Sequence, residues 1–204
     1  VKRRRLWAGL IGSAAMAAGV TVWATQSHST TTPESKPAST VSKVRQADAL
    51  LQQAQRIQNP KEAAGAFRRV LDLDPDNKLA WYSLGIIALR DRKATEARAD
   101  FDKSLKIDPK FAPALFSEAV LLRASEPERA IDLLKRTAAA NPRMAPIADL
   151  QLGALLAEKG RDDEATAAFR QAVAAEPSLA SRVPERFRKS VSPSPTSSHA
   201  GSAR

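Results

Sequence analysis

Asp72, Asp74 and Asp76 form the densest cluster of chemistry-bearing side chains in the sequence, and three carboxylates at alternate positions suggest a cation site. The same acid-proline step that occurs at Asp74-Pro75 recurs at Asp108-Pro109 and Glu176-Pro177. A feature that repeats in this way reads as a helix-ending turn, since the residue before proline is driven out of the helical region. Asp162, Asp163 and Glu164 read as the first turn of a helix, where negative charge is favoured by the helix dipole. The two histidines, His28 and His199, sit in Ser/Thr-rich stretches far from any patterned segment, and there is no cysteine. That composition excludes disulfides, thiolate metal sites and a cysteine nucleophile. No glycine-rich phosphate loop, zinc-protease or serine-hydrolase motif occurs. The sequence therefore indicates no catalytic residue, no metal site, no cofactor and no small-molecule substrate.

What could use such a chain is a surface, and the elements that build it can be followed along the sequence. A small residue recurs as Ala63, Ala97, Ala130 and Ala165, and a large apolar one four residues later as Phe67, Phe101, Leu134 and Phe169. A proline closes each unit as Pro75, Pro109, Pro142 and Pro177, and all three series step by 34, 33 and 35 residues. Three independent markers keeping one register mean a stacked array of helix pairs, none of which can bury its apolar face alone. The lost residue falls in the turn near Ser125–Pro127 and the gained one near Arg143–Pro146. Turns absorb such changes at little cost.

The clearest unit is 78–111. Its Trp81-x-x-Leu84-Gly85, then Ala97-x-x-x-Phe101, then Pro109 resembles the tetratricopeptide repeat (TPR) signature, with Ala88 where that family usually has tyrosine. Gly85 and Ala97 would let two helices approach, with Trp81 and Phe101 filling the space beside them. Leu152-Gly153 repeats Leu84-Gly85, but Asp149 replaces the tryptophan, and Glu118-Ala119 replaces Leu-Gly in the third unit. The resemblance implies an all-α fold: a right-handed α-solenoid of about four helix hairpins, 44–77 (degenerate), 78–111, 112–144 and 145–179, plus a short C-terminal capping helix within 180–191. Pro184 would start that cap, Phe187 would cover the last hairpin, and Arg186, Arg188 and Lys189 would face water. Asn59-Pro60-x-Glu62 reads as an N-cap, a first-turn proline and a capping-box acid.

In TPR arrays the first helix of each pair lines a concave groove. By that resemblance the groove residues would be Leu79, Tyr82, Ile86 and Leu89, then Phe116, Val120 and Arg123, then Ile147, Leu150, Gln151 and Ala154. Asp48, Gln52 and Gln55 would be the polar contribution of the first unit. Tyr82 and Phe116 lead this set, because they lie beside the matched core positions rather than at them. The groove would be largely apolar and suited to an amphipathic helix or an extended peptide. It lacks the Lys, Asn and Arg that carboxylate-clamping TPRs use.

The ends carry the charge. The chain has a net charge of +10, yet residues 1–23 and 180–204 contribute +4 each and 44–179 only +1, so no nucleic-acid face is indicated. Residues 1–24 are a basic start followed by a 19-residue uncharged run, Leu6 to Ala24, bracketed by Trp7 and Trp23. As a helix the run would be about 28 Å long, near the bilayer's apolar thickness. The basic flank predicts a single-pass anchor in a bacterial inner membrane, N-terminus in the cytoplasm and array outside or in the periplasm. The alternative is a signal sequence cleaved after Val22-Trp23-Ala24, leaving a periplasmic or secreted chaperone-like binder. Residues 25–43 read as a Ser/Thr/Pro linker and 192–204 as a disordered tail. The function expected is a non-catalytic adaptor for a protein or peptide partner. A third expectation, an accessory subunit of an envelope enzyme or of cytochrome c biogenesis, rests on architectural likeness alone.

Overall fold

The computed structural model describes residues 38–191, which form helices joined by short turns and loops. The apolar run within 1–24, most of the 25–43 linker and the 192–204 tail lie outside the described residues. Eight helices pair into four hairpins: α1 (Ala38–Ala54) with α2 (Pro60–Leu73), and α3 (Lys78–Arg90) with α4 (Ala94–Ile107). They are followed by α5 (Ala112–Leu122) with α6 (Pro127–Ala140), and α7 (Ala145–Glu158) with α8 (Asp162–Ala175). Each hairpin also packs on the next, α2 on α3, α4 on α5 and α6 on α7, which is the nearest-neighbour stacking of a solenoid. α1 begins at Ala38, inside the stretch expected as linker.

The four repeat breaks share one construction. The backbone N–H groups of Asp74, Asp108, Asn141 and Glu176 donate to the carbonyls of Val70, Ser104, Thr137 and Ala172, at 2.8 to 3.1 Å. Each of these capping residues is extended, with φ between −134° and −145°, as the proline after it requires. Asp74 thus ends a helix. At the tops of the second and fourth hairpins the chain turns through left-handed residues, Arg92 (φ 60°) and Gly160 (φ 72°). Lys93 and Arg161 then donate back five residues, to the Ala88 and Leu156 carbonyls. The third hairpin has no left-handed residue; Glu126 donates only four residues back, to Leu122. That shorter turn is where the 33-residue repeat loses its residue.

Asn59 caps α2 as the sequence implies, its Oδ1 accepting from Lys61 N (3.0 Å) and Glu62 N (3.3 Å), with Pro60 at the first helical position. Among the described residues no bond returns from Glu62 to the Asn59 N–H, so the capping box is half made. Asn59→Ala is expected to cost about 0.5–2 kcal/mol, read as a lower urea midpoint by circular dichroism.

Gly85 and Gly153 fix how closely each hairpin closes. A Cβ built on Gly85 would stand 2.5 Å from Phe101 Cε1, and one on Gly153 would stand 2.6 Å from Phe169 Cδ1. Both rings are completely buried, as are Ala97, Ala130 and Ala165. Trp81 packs at the edge of the N-terminal core. It is half-buried, donates Nε1–H to the Pro75 carbonyl (2.8 Å) and carries the Lys103 ammonium over its ring at 3.8 Å. Phe101 supplies the side chain nearest Gly85, while Trp81 closes the α2–α4 side of its repeat.

A 3-10 turn, Pro177–Arg182, and α9 (Glu185–Val191) follow the last hairpin. Leu179, Val183, Phe187 and Val191 are buried there, with the Phe187 ring 5.2 Å from that of Phe169. Arg186 is exposed, as expected, and also reaches back along the surface. It donates to the Ala157 carbonyl (3.0 Å) and to Asp162 (3.3 Å), and its guanidinium lies over Phe187.

Candidate functional site

The first helices keep a strict 34-residue register, which sets the candidate residues in rows. One row runs Asp48, Tyr82, Phe116, Leu150; the next runs Gln52, Ile86, Val120, Ala154; a third runs Gln55, Leu89, Arg123, Ala157. In the middle row Ile86 is 37% exposed and Val120 is 47% exposed. Between α4's start and α9's end, Val120 is the one large apolar side chain so exposed among the described residues. Across the whole described chain only Val41 joins it and Ile86. Apolar side chains exposed at one repeated position make this row the candidate binding face.

Ile86 lies in a groove of about 330 Å³ between the first hairpin and α3. Tyr82 and Ile57 add apolar walls, while Gln55, Gln58 and Arg90 supply polar groups at the rim. Val120, Arg123 and Gln151 meet in a much smaller cleft between α5 and α7, of about 30 Å³. There Arg123 is held across the gap: Nη1 donates to Gln151 Oε1 (3.1 Å), and the guanidinium forks onto Glu158. The C-terminal part of the face is therefore narrowed by an ion pair, and the N-terminal part is open.

The two residues that led the sequence-based set are each half-buried. Tyr82 is half-buried between the rings of Phe111 (5.5 Å, edge-on) and Phe101 (6.0 Å), where it packs as much as it faces outward. Phe116 is half-buried against the C-terminal core. Leu150 is 4% exposed and belongs to that core outright, so it offers a ligand nothing. Ile147 and Ala154 pack against the same core, and Leu89 against Ala88, Ala97 and Phe101. Leu79 opens onto a separate, acidic recess with Asp48, Asp74, Asp76 and Asp108. Ile57 and Arg90 were missed; the signal available was an isolated isoleucine in the polar turn before Asn59-Pro60.

No group of three His or acidic side chains that could hold a metal exists among the described residues, and His28 and His199 lie outside them. The carboxyls with the clearest upward shifts, Glu118, Asp149 and Asp100, owe them first to burial. None of the three lines either cleft of the first-helix face. The arrangement offers apolar area with amide and guanidinium donors at its edge, which is chemistry for holding a polypeptide.

Fold and face together define a helical-hairpin repeat protein. The chain belongs to the tetratricopeptide repeat family, whose model matches residues 44–110 and 120–180. Among solved structures it is similar to residues 41 to the end of MamA from Desulfovibrio magneticus RS-1 (TM-score 0.58, 21% identity, 68% of this chain and 78% of that one). It is also similar to YrrB, described as a TPR protein with an unusual peptide-binding site (0.55, 22%, 70% and 71%). A third is PilW, a type IV pilus biogenesis factor (0.54, 23%, 71% and 66%). These likenesses concern the fold. A human protein O-mannosyl-transferase, TMTC3, is 31% identical over 71 residues, 34% of this chain. The match spans only 8% of that protein's length.

Proposed function

We propose that this protein is a non-catalytic TPR adaptor that holds a partner protein through a peptide or amphipathic helix laid along its first-helix face. The observation that carries the reading is the pairing of Ile86 and Val120, exposed at one repeated position of the first helices. Tyr82 and Ile57 extend the apolar floor; Gln55, Gln58 and Arg90 can bond a partner's backbone at the rim. Peptide binding by YrrB, a protein of like fold, is consistent with this use.

Residues 6–24 would tether the array to a bacterial inner membrane, the array standing on the outer or periplasmic side. Support for this comes from the uncharged run and its basic flank. The small-x-small step Val22-Trp23-Ala24 favours a second version, a released periplasmic or secreted binder. The intact mass of the mature protein separates the two, since cleavage removes the first 24 residues. The described residues contain no helix long and apolar enough to cross a membrane.

The test is a double substitution, Ile86→Glu with Val120→Glu, in the full chain. Both positions are exposed, so helical circular dichroism and the melting curve should stay within about 0.5 kcal/mol of wild type. Capture of the co-purifying partner should fall about tenfold or more, because two charges would have to be buried against apolar groups. Undiminished capture would refute the assignment.

A further inference from the structure

Glu118 is the most anomalous side chain in the array. It occupies the register position of Leu84 and Leu152, both buried leucines, and it is itself 0% exposed. One carboxylate oxygen accepts from Arg129 of α6; the other, Oε2, has no hydrogen-bond partner among the described residues. Arg129 is shared. It also bonds Asp102 of α4 at 3.1 Å and lies 3.8 Å from Glu126, which Arg98 of α4 grips with both its Nη atoms. Two cations thus serve three carboxylates, one of them buried. α3, which also touches α5, adds no charge to the set.

The cluster lies at one of the two places where the apolar core divides. One group of buried apolar residues runs from Ala47 to Leu84, a small one comprises Ala88, Ala97 and Phe101, and the largest runs from Leu115 to Val191. Apolar crossings between the second and third hairpins include Leu105, Leu121 and the Tyr82–Phe111 ring pair. Polar bonds cross the same seam, among them Arg98 to Glu126, Arg129 to Asp102 and Arg136 to the Pro109 carbonyl (3.1 Å). Solenoid stability is a sum over such interfaces, so a buried charge at one of them lowers the free energy of opening there.

We propose that the array articulates at the seam between α4 and α5–α6, where the buried Glu118 carboxylate stands in for a core leucine. α1–α4 and α5–α9 open there as separate cooperative units. A buried ion pair commonly contributes less than apolar side chains of similar volume, so leucine at 118 strengthens the seam. Arg129 is not stranded by that change, because it is partly exposed and keeps Asp102 and Glu126. Ile86 and Val120 lie on opposite sides of the seam, so a partner spanning both would close it. That consequence alone rests on the proposed function; the articulation does not.

Burial holds the Glu118 carboxyl above its ordinary value, against the opposing pull of Arg129. A raised folded-state value means a stability contribution present below the unfolded value and lost as pH rises through the folded one. Ionisation of Glu118 therefore loosens the seam. The advantage of Glu118→Gln over wild type should grow as pH rises from 4.5 towards neutrality.

Native-state hydrogen exchange on the full chain tests this without any ligand. In wild type, amides of α1–α4 and of α5–α9 should fall into two groups with different opening free energies. Glu118→Leu and Glu118→Gln should each slow exchange of the α4 and α5 amides, the former about tenfold or more. A single opening free energy shared by all helices in wild type would overturn the proposal. So would faster exchange at α4 and α5 in Glu118→Gln, which decides the matter even if Glu118→Leu fails to fold.

Discussion

Gly85→Leu should cost about 3 kcal/mol or more, at or beyond the upper end of what overpacking a core usually costs. The reason is specific to the site. Even a lone Cβ there would stand 2.5 Å from one ring carbon of Phe101 and 2.7 Å from another. The ring has nowhere to go, being completely buried among Ala88, Ala97 and their neighbours. The backbone is no softer, since the Ala97 carbonyl stands 3.2 Å from the same point. α3 and α4 would have to part, and with them the hairpin that joins the first repeat to the third. Gly65 is the control: nothing lies within 4 Å of a Cβ at that position. Gly65→Ala, in mid-helix, should therefore stabilise the chain by about 0.5–1 kcal/mol through the unfolded state. Urea melts followed by circular dichroism should move the two variants in opposite directions. A shared sign would mean that hairpin closure is not what Gly85 provides.

Phe187→Ala should cost about 3–5 kcal/mol, as do large-to-small changes at buried aromatic positions. Phe187 belongs to a seven-residue helix too short to persist alone, so its order depends on the docking. The ring rests on Phe169, which in turn fills the space Gly153 leaves. Losing it should release α9 and the 3-10 turn together, exposing Phe169 and the α7–α8 hairpin. The Arg186 bonds to Ala157 and Asp162 would go too, though exposed pairs of that kind add little by themselves. Limited proteolysis should then cut within 177–191 first while α1–α4 stays protected. Uniform loss of protection across all hairpins would instead place Phe187 in a core common to the whole array.

The second helices were legible in the sequence because their function is packing. Ala97, Phe101 and Pro109 recur in type and spacing since the geometry of hairpin closure and repeat exit admits few alternatives. The first helices were legible only as helices. Leu150, which is core, and Val120, which is exposed, are both aliphatic residues at groove positions, and what separates them is the register row. Leu150 shares the row of half-buried Tyr82 and Phe116, whereas Val120 shares that of exposed Ile86. Glu118 was visible as a departure from leucine, but its burial and its shared arginine come from α4 and α6. Those helices meet it only in the fold.

The most direct measurement is photo-crosslinking from single positions of the full chain in its native cells. A photoreactive residue at Ile86 or at Val120 should yield a discrete adduct with one and the same partner. The same residue at Arg69 or Gln171, exposed on the second helices, should yield none. Adducts from Arg69 and Gln171 with none from Ile86 and Val120 would contradict the account, moving the binding surface to the opposite face.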